Sequence, residues 1–387
     1  MKRYLLSFIL TLPMFITGCW DKVEIENRGF VIAMGIDKFE DKNDDKAVQL
    51  DDEKESQKAR YTVTMALPDI GALSGPGGDD SSEFVKIAAA PTVSAAIRLI
   101  DTFSSERLYF GHTKAVIFHE DILKDEYLFR EALDAIERNR ELSRSLLVLA
   151  TSDDIKKVLD ADIPGEPLVG AFIAEFYRKS EGAAITFKQD LEGLTRRLRS
   201  GGDALIPIIS LEGKKKDVQV KLGGTAVIKD FQMAGKLSDS QTRAFMWFNG
   251  KAKGALITAE HEGIDVPMRI NSSKSKTSFY EENGRIICVL DINARAEVEE
   301  FDFLGIELND DESLRELSEV CERIVSDEIS QLFTTFRDEL EVDGFGLHER
   351  LRKQNHVIFA AYGDEAYKHM MLIPRVDLKI TGAGVIK

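Results

Sequence analysis

A chain of 387 residues, 43% hydrophobic and 30% charged, has the composition of a folded globular protein with room for more than one core; a disordered chain and a multi-spanning membrane protein are excluded. The net charge of −16 argues against a nucleic-acid partner, because phosphate contacts need a clustered basic face and the best basic run, Lys214 to Lys216, is followed at once by Asp217. An anionic membrane surface repels the same charge, so attachment to a membrane has to come from something other than electrostatics.

At the N-terminus Lys2 and Arg3 precede an apolar run of 13 residues, Tyr4 to Ile16. A bilayer-spanning helix needs roughly 20 apolar residues, whereas a secretory signal core has roughly 7 to 15, and Pro13 disfavours a buried structural helix. The run closes on Ile16-Thr17-Gly18-Cys19, which resembles a bacterial lipobox: small residues fit the signal peptidase, and the thiol forms a diacylglyceryl thioether. Residues 1–18 are therefore expected to be a lipoprotein signal peptide and Cys19 the site of lipid attachment. Losing Lys2 and Arg3 and no acids takes the net charge from −16 to −18, so lipid must do the anchoring. Two or more acyl chains hold stably where one is marginal, each buried CH₂ adding about 0.8 kcal/mol.

RGFVIAMGIDK (28–38) predicts a buried strand, residues 39–60 a charged solvated loop, RYTVTMALP a strand and SGPGGDDSSE a flexible break. VKIAAAPTVSAAIRLIDTFS starts as a strand and becomes a helix with Val93, Ala96, Ile97 and Ile100 on one face. LYFGHTKAVIFHEDIL predicts a strand, EYLFREALDAIERNR a helix, SRSLLVLATS a strand and SDDIKKVLD a helix, an alternation that suggests a sheet covered by helices. Gly201-Gly202 and Pro207 mark a change of composition near residue 200. Beyond it VKLGGTAVIKDFQMAGKLS reads as a hairpin, and Asn249-Gly250 and Asn283-Gly284 each read as a turn between two strands. Residues 311–341 form the longest amphipathic helix, with Leu314, Leu317, Cys321, Ile324, Leu332 and Phe336 near helical spacing; Asp343-Gly344-Phe345-Gly346 breaks it and a last strand follows.

The expected fold is α+β and multi-domain, with mixed sheets flanked by helices and a β-rich C-terminal half carrying one long amphipathic helix. The expected division is an N-terminal mixed α/β domain at 19–200, a small β-rich middle domain at 201–270 and a C-terminal α/β domain at 271–387.

No catalytic signature emerges. His119-Glu120 is followed by Asp121, Ile122 and Leu123 rather than completing HExxH, GFGLHE lacks a third glycine, and six scattered histidines form no metal-ligand run. Ser273 and Lys276 satisfy S-x-x-K inside the polar SSKSKTS, where a surface loop is the better reading. Cys288 and Cys321 could pair in an oxidising space, but strand and helix-face settings favour free buried thiols. His112, in Gly111-His112-Thr113-Lys114, is read as fixing a bend through a backbone hydrogen bond. No cofactor and no metal is expected.

Cys19-Trp20-Asp21, then Glu24-Ile25 and VIAMGID, resembles the start of the Ger(x)C family, the lipoprotein subunits of bacterial spore germinant receptors. GHTKAVIF, ALDAIERNRELSRSLLVLAT, AVIKDFQMAGKLSDSQTRAFMWFNGK and DGFGLHERLRK resemble family blocks in the same order. The resemblance implies a non-enzymatic lipoprotein on the outer face of the spore inner membrane. It would assemble there with membrane-embedded receptor subunits, one of them permease-like. Trp20, Asp21 and the Gly111, His112, Thr113, Lys114 bend are the interaction candidates. A solute-binding lipoprotein, with a cleft between two similar lobes, and an envelope enzyme are the alternatives.

Overall fold

The computed structural model describes residues 28–40, 47–49, 58–68, 83–161, 163, 168–179, 184–213, 218–261, 263–299 and 311–383. The signal segment, Cys19, Trp20, Asp21, most of the charged loop at 39–60 and nearly all of SGPGGDDSSE lie outside the described residues.

The fold is α+β. Strand β1 (Arg28–Phe30) pairs in parallel with β6 (Arg107–Tyr109) in a two-stranded ribbon, so RGFVIAMGIDK is two strands in different sheets. A nine-stranded mixed sheet holds β2 (Ala33–Lys38), β3 (Val48–Gln49), β4 (Tyr61–Pro68), β5 (Glu83–Ala90), β7 (Ala115–His119), β8 (Leu147–Thr151), β9 (Ala204–Glu212), β10 (Gln219–Lys229) and β11 (Gln232–Leu237), in the order β11-β10-β9-β8-β7-β2-β4-β5-β3. Its centre, β2, β7, β8 and β9, is parallel, and β10 and β11 return antiparallel. The sheet runs across residue 200: β9 pairs in parallel with β8 before it, and strand direction reverses only after β9.

Central strands such as AVIFH and LVLAT are apolar without alternation because helices cover both faces. On one face Met34, Ile36, Val116, Phe118 and Val148 pack against α1 (Val93–Thr102), α2 (Glu120–Leu123), α3 (Glu126–Arg138) and α6 (Leu191–Arg199). On the other, Ala33, Ala115, Ile117 and Leu149 meet α4 (Ile155–Leu159) and α5 (Val169–Lys179). Thr92, Asp125, Asp154 and Asp190 each accept a backbone N–H at the start of α1, α3, α4 and α6, which satisfies an otherwise orphaned donor.

RAFMWFNGKAKGALI does not hold a hairpin. Residues Asp239–Phe248 form α7, started by a reciprocal capping box between Ser238 and Gln241. Asn249 ends it at φ −87°, and only Gly250 is left-handed, at φ 63°. At Asn283-Gly284 both residues have positive φ (51° and 73°), as a two-residue hairpin turn requires, and the hairpin forms there. Asn-Gly thus suits a helix end and a hairpin equally, and the capping box upstream was the discriminating signal.

A four-stranded sheet follows, β12 (Leu256–His261), β13 (Ile264–Glu282), β14 (Arg285–Val298) and β15 (Met370–Ala383), antiparallel except for the parallel β14–β15 pair. Helix α8 (Asp311–Thr334), continued by a π turn at Thr335–Glu339, lays Leu317, Cys321, Val325, Ile329, Leu332 and Phe336 on its inner face. Trp247 and Phe248 of α7 are buried in that core together with Leu205 and Val227 of the large sheet, so α7 joins the two sheets. Two short helices that sequence periodicity passes over, α9 (Leu347–Gln354) and α10 (His356–Tyr362), link α8 to β15.

Candidate functional site

The GHTK bend joins the ribbon to the large sheet. Thr113 holds it: its N–H donates to the Phe110 carbonyl at 3.0 Å, and its buried hydroxyl donates to the Val31 carbonyl at 2.9 Å. The Lys114 N–H donates to the Ile32 carbonyl at 2.8 Å, and the Lys114 carbonyl accepts the Leu147 N–H at 3.0 Å. The fixing role read into His112 therefore belongs to Thr113. His112 is exposed, its ring lying 5.3 Å from that of Phe30 and 5.7 Å from that of Tyr109, and the Arg28 guanidinium stands 4.9 Å over Tyr109. A Cβ on Gly111 would run into the Tyr109 hydroxyl, so the absence of a side chain there lets the ring close over the bend. The bend and ribbon make one small aromatic and basic face; whether Trp20 and Asp21 join it lies outside the described residues.

A second place is made by topology. From β2 the chain leaves toward β4 on one side of the sheet, and from β7 toward β8 on the other, which opens a crevice at the carboxyl ends of these two parallel strands. Asp37 is the next-to-last residue of β2 here, His119 ends β7 and caps α2, and Asp121 lies in the first turn of α2. His119 Nδ1 is 3.1 Å from Asp37 Oδ1 and 3.3 Å from Asp121 Oδ2. Burial would lower the pKa of His119, but Asp37 first, then Asp121 and a hydrogen bond to the Ser152 backbone, outweigh it and raise the value. Beside these groups, Glu120 is drawn down to about 2: burial alone would raise it, and Lys236 and Lys124 more than reverse that. The crevice has a volume of about 610 Å³, with Thr62, Thr64 and Asp154 also on its wall.

Asp37, His119 and Asp121 form the one group of at least three metal-ligating side chains among the described residues, and local sequence gave no sign of it, since Asp37 and His119 meet only through the β2–β7 register. Ser273 and Lys276 sit on opposite faces of β13, in a strand rather than a loop, so they do not work as a pair. Cys288 and Cys321 are free and buried, Cys321 Sγ lying 3.7 Å from Met268 Sδ.

The DGFG segment is a joint between the two sheets. The Asp343 carboxylate accepts the Leu347 and His348 N–H groups, both at 2.8 Å, at the start of α9, and Phe345 stacks on Phe248 with ring centroids 4.0 Å apart. The Asp203 carboxylate, just before β9, accepts the Asp343 N–H, and Arg197 of α6 donates to the Asp203 carbonyl at 2.8 Å.

Comparison with known proteins agrees with this architecture. Residues 21–211 match the family model described as the spore germination protein N-terminal domain, and residues 223–384 the one described as spore germination B3/GerAC like, C-terminal. The chain is similar to the Bacillus subtilis (strain 168) putative spore germination protein YfkR, 25% identical over 76% of this chain and 74% of that protein. It is similar over its whole length to spore germination protein YndF of the same organism, 24% identical over 100% of this chain and 98% of the relative. The crystal structure of the GerBC protein superposes with a TM-score of 0.58 at 18% identity, over 85% of this chain and 96% of that one. With both halves matched in order and relatives spanned end to end, the chain belongs to the Ger(x)C family of spore germination proteins.

Proposed function

We propose that the protein is a lipid-anchored, non-enzymatic subunit of a nutrient germinant receptor, held on the extracytoplasmic face of the spore inner membrane beside membrane-embedded subunits, one of them permease-like. The observation that carries this reading is the pair of germination-family domains placed directly behind a lipobox cysteine. Among the described residues no helix is long and apolar enough to cross a membrane. Cys19 is the attachment that the lipobox offers. The unlike nine-stranded and four-stranded sheets are not the pair of similar lobes that a solute-binding lipoprotein uses.

Cys19 precedes Arg28 by nine residues, a stretch that reaches at most about 32 Å fully extended. Arg28, the first residue of the ribbon, then stays within that distance of the lipid, and the GHTK bend follows directly on β6 of the same ribbon, which favours Trp20, Asp21 and Gly111 to Lys114 as the surface that meets the membrane subunits. The test is deletion of the gene followed by a nutrient germination assay, with a Cys19→Ala strain beside it. Both strains should germinate slowly or not at all; normal germination of the deletion strain rejects the function, and normal germination of Cys19→Ala alone rejects the anchor.

A further inference from the structure

We propose that Asp37, His119 and Asp121 bind one divalent transition-metal cation, Mn²⁺ or Zn²⁺, in the crevice between β2 and β7. The donor set suits it: two carboxylates and a neutral imidazole carry a charge of −2, matching a divalent ion; the imidazole nitrogen favours Zn²⁺ over Ca²⁺ and Mg²⁺, and the two carboxylates also suit Mn²⁺. The spacing suits it as well. Metal–ligand bonds of about 2.0–2.2 Å at tetrahedral to octahedral angles set neighbouring donor atoms roughly 2.8–3.6 Å apart. The two nitrogen–oxygen separations here are 3.1 and 3.3 Å, and all three donor atoms lie within 4.8 Å of one another.

Both carboxylates are also held from outside the site. Asp37, next to last in β2, is paired with Thr62 of β4, and Ile36 before it is paired with Phe118 of β7. Lys124 draws Asp121 Oδ1 at 3.4 Å, leaving Oδ2 turned toward His119. Of the three lysines on the crevice wall, Lys38 is engaged with Asp125 at 3.8 Å and Lys156 with Asp160 at 3.3 Å, and Lys157 is exposed to solvent. The ion would take the place of the proton through which His119 Nδ1 meets Asp37 at 3.1 Å and Asp121 at 3.3 Å, and of the long 3.3 Å hydrogen bond from the Asp121 N–H to the same nitrogen. The crevice leaves space for waters to complete the coordination shell.

The experiment takes the full-length chain in detergent, stripped with EDTA, and titrates it with MnCl₂, ZnCl₂, CaCl₂ and MgCl₂ by calorimetry, with the spin-resonance signal of free Mn²⁺ as a second readout. One Mn²⁺ or Zn²⁺ should bind per chain, more tightly than Ca²⁺ or Mg²⁺. Asp37→Asn and Asp121→Asn should each weaken binding roughly tenfold or more. Asp154→Asn, in the same crevice but outside the three, should leave it unchanged. His119 caps α2, so His119→Gln is read only alongside a circular-dichroism spectrum, and the two aspartate variants carry the test if that variant does not fold. No saturable binding of Mn²⁺ or Zn²⁺, or equal binding in wild type and both aspartate variants, overturns the proposal. Germination plays no part in this readout, so it stands or falls apart from the receptor assignment.

Discussion

Gly35 shows how much a single missing side chain decides. It lies in VIAMGID, which reads as a uniformly apolar strand, yet β2 has two unlike faces: Met34 and Ile36 fill one core, while Ala33 and Gly35 leave room for α4 on the other. A Cβ at Gly35 would run into Ile155 Cγ2. Gly35→Val replaces a poor strand former with a good one, so propensity alone predicts a gain. Overpacking predicts a loss of about 2–3 kcal/mol, seen as a lower urea midpoint at unchanged slope. An equal or higher midpoint would show that α4 can retreat freely. The buried run was legible in the sequence, but the division of small and large residues between faces was not, because a parallel strand covered on both sides has no polar face to set the register.

At the scale of elements, the DGFG joint has a pH signature. Burial raises the pKa of Asp343 despite the two N–H groups it accepts and the nearby Arg197; burial also raises that of Asp203, against the hydrogen bond from Asp343. A carboxyl whose folded value is raised binds more protons in the native state than in the unfolded chain. Its stabilisation is therefore complete below the ordinary carboxylate range near 4 and is lost as pH rises through the folded value. Asp203→Asn keeps an acceptor for the Asp343 N–H and removes one charge. Urea unfolding should show the variant gaining on wild type as pH is raised from about 4 to 7; a pH-independent difference would mean that Asp203 is not held against its charge. Glu120, Glu175 and Glu349, each lowered to about 2, lose stabilisation in the opposite direction as pH falls below their ordinary value near 4.5, which is why the comparison is between variant and wild type. The sequence showed DGFG as a helix breaker. Its service as cap, aromatic anchor and inter-sheet joint depends on Asp203 and Phe248, far away in the chain.

For the whole molecule, the α+β class and the long helix were legible because α8 and the hairpin strands carry strong periodicity. The crevice was not, because its residues sit at the ends of two strands that meet only after the intervening β4, β5, α1 and β6 have folded elsewhere. The inner core of the four-stranded sheet holds both remaining thiols, each pushed up to about 12 by burial. Thiolate, the reactive form, is then scarce and enclosed, so iodoacetamide should label Cys288 and Cys321 at the rate of global unfolding and fully in urea. Rapid labelling of either thiol in the native protein would show that this core opens locally.

The ribbon has a mechanical consequence. Because β1 and β6 run in parallel, tension applied at Arg28 along the strand axis would load the pairs Arg28↔Arg107, Gly29↔Leu108 and Phe30↔Tyr109 together in shear instead of opening them one at a time. The next residues, Val31 and Ile32, hand the same load to Tyr109, Ala66 and Lys114 through backbone hydrogen bonds. Strand β1 would thus work as a strain-bearing splice, passing tension into the centre of the large sheet rather than peeling away from it.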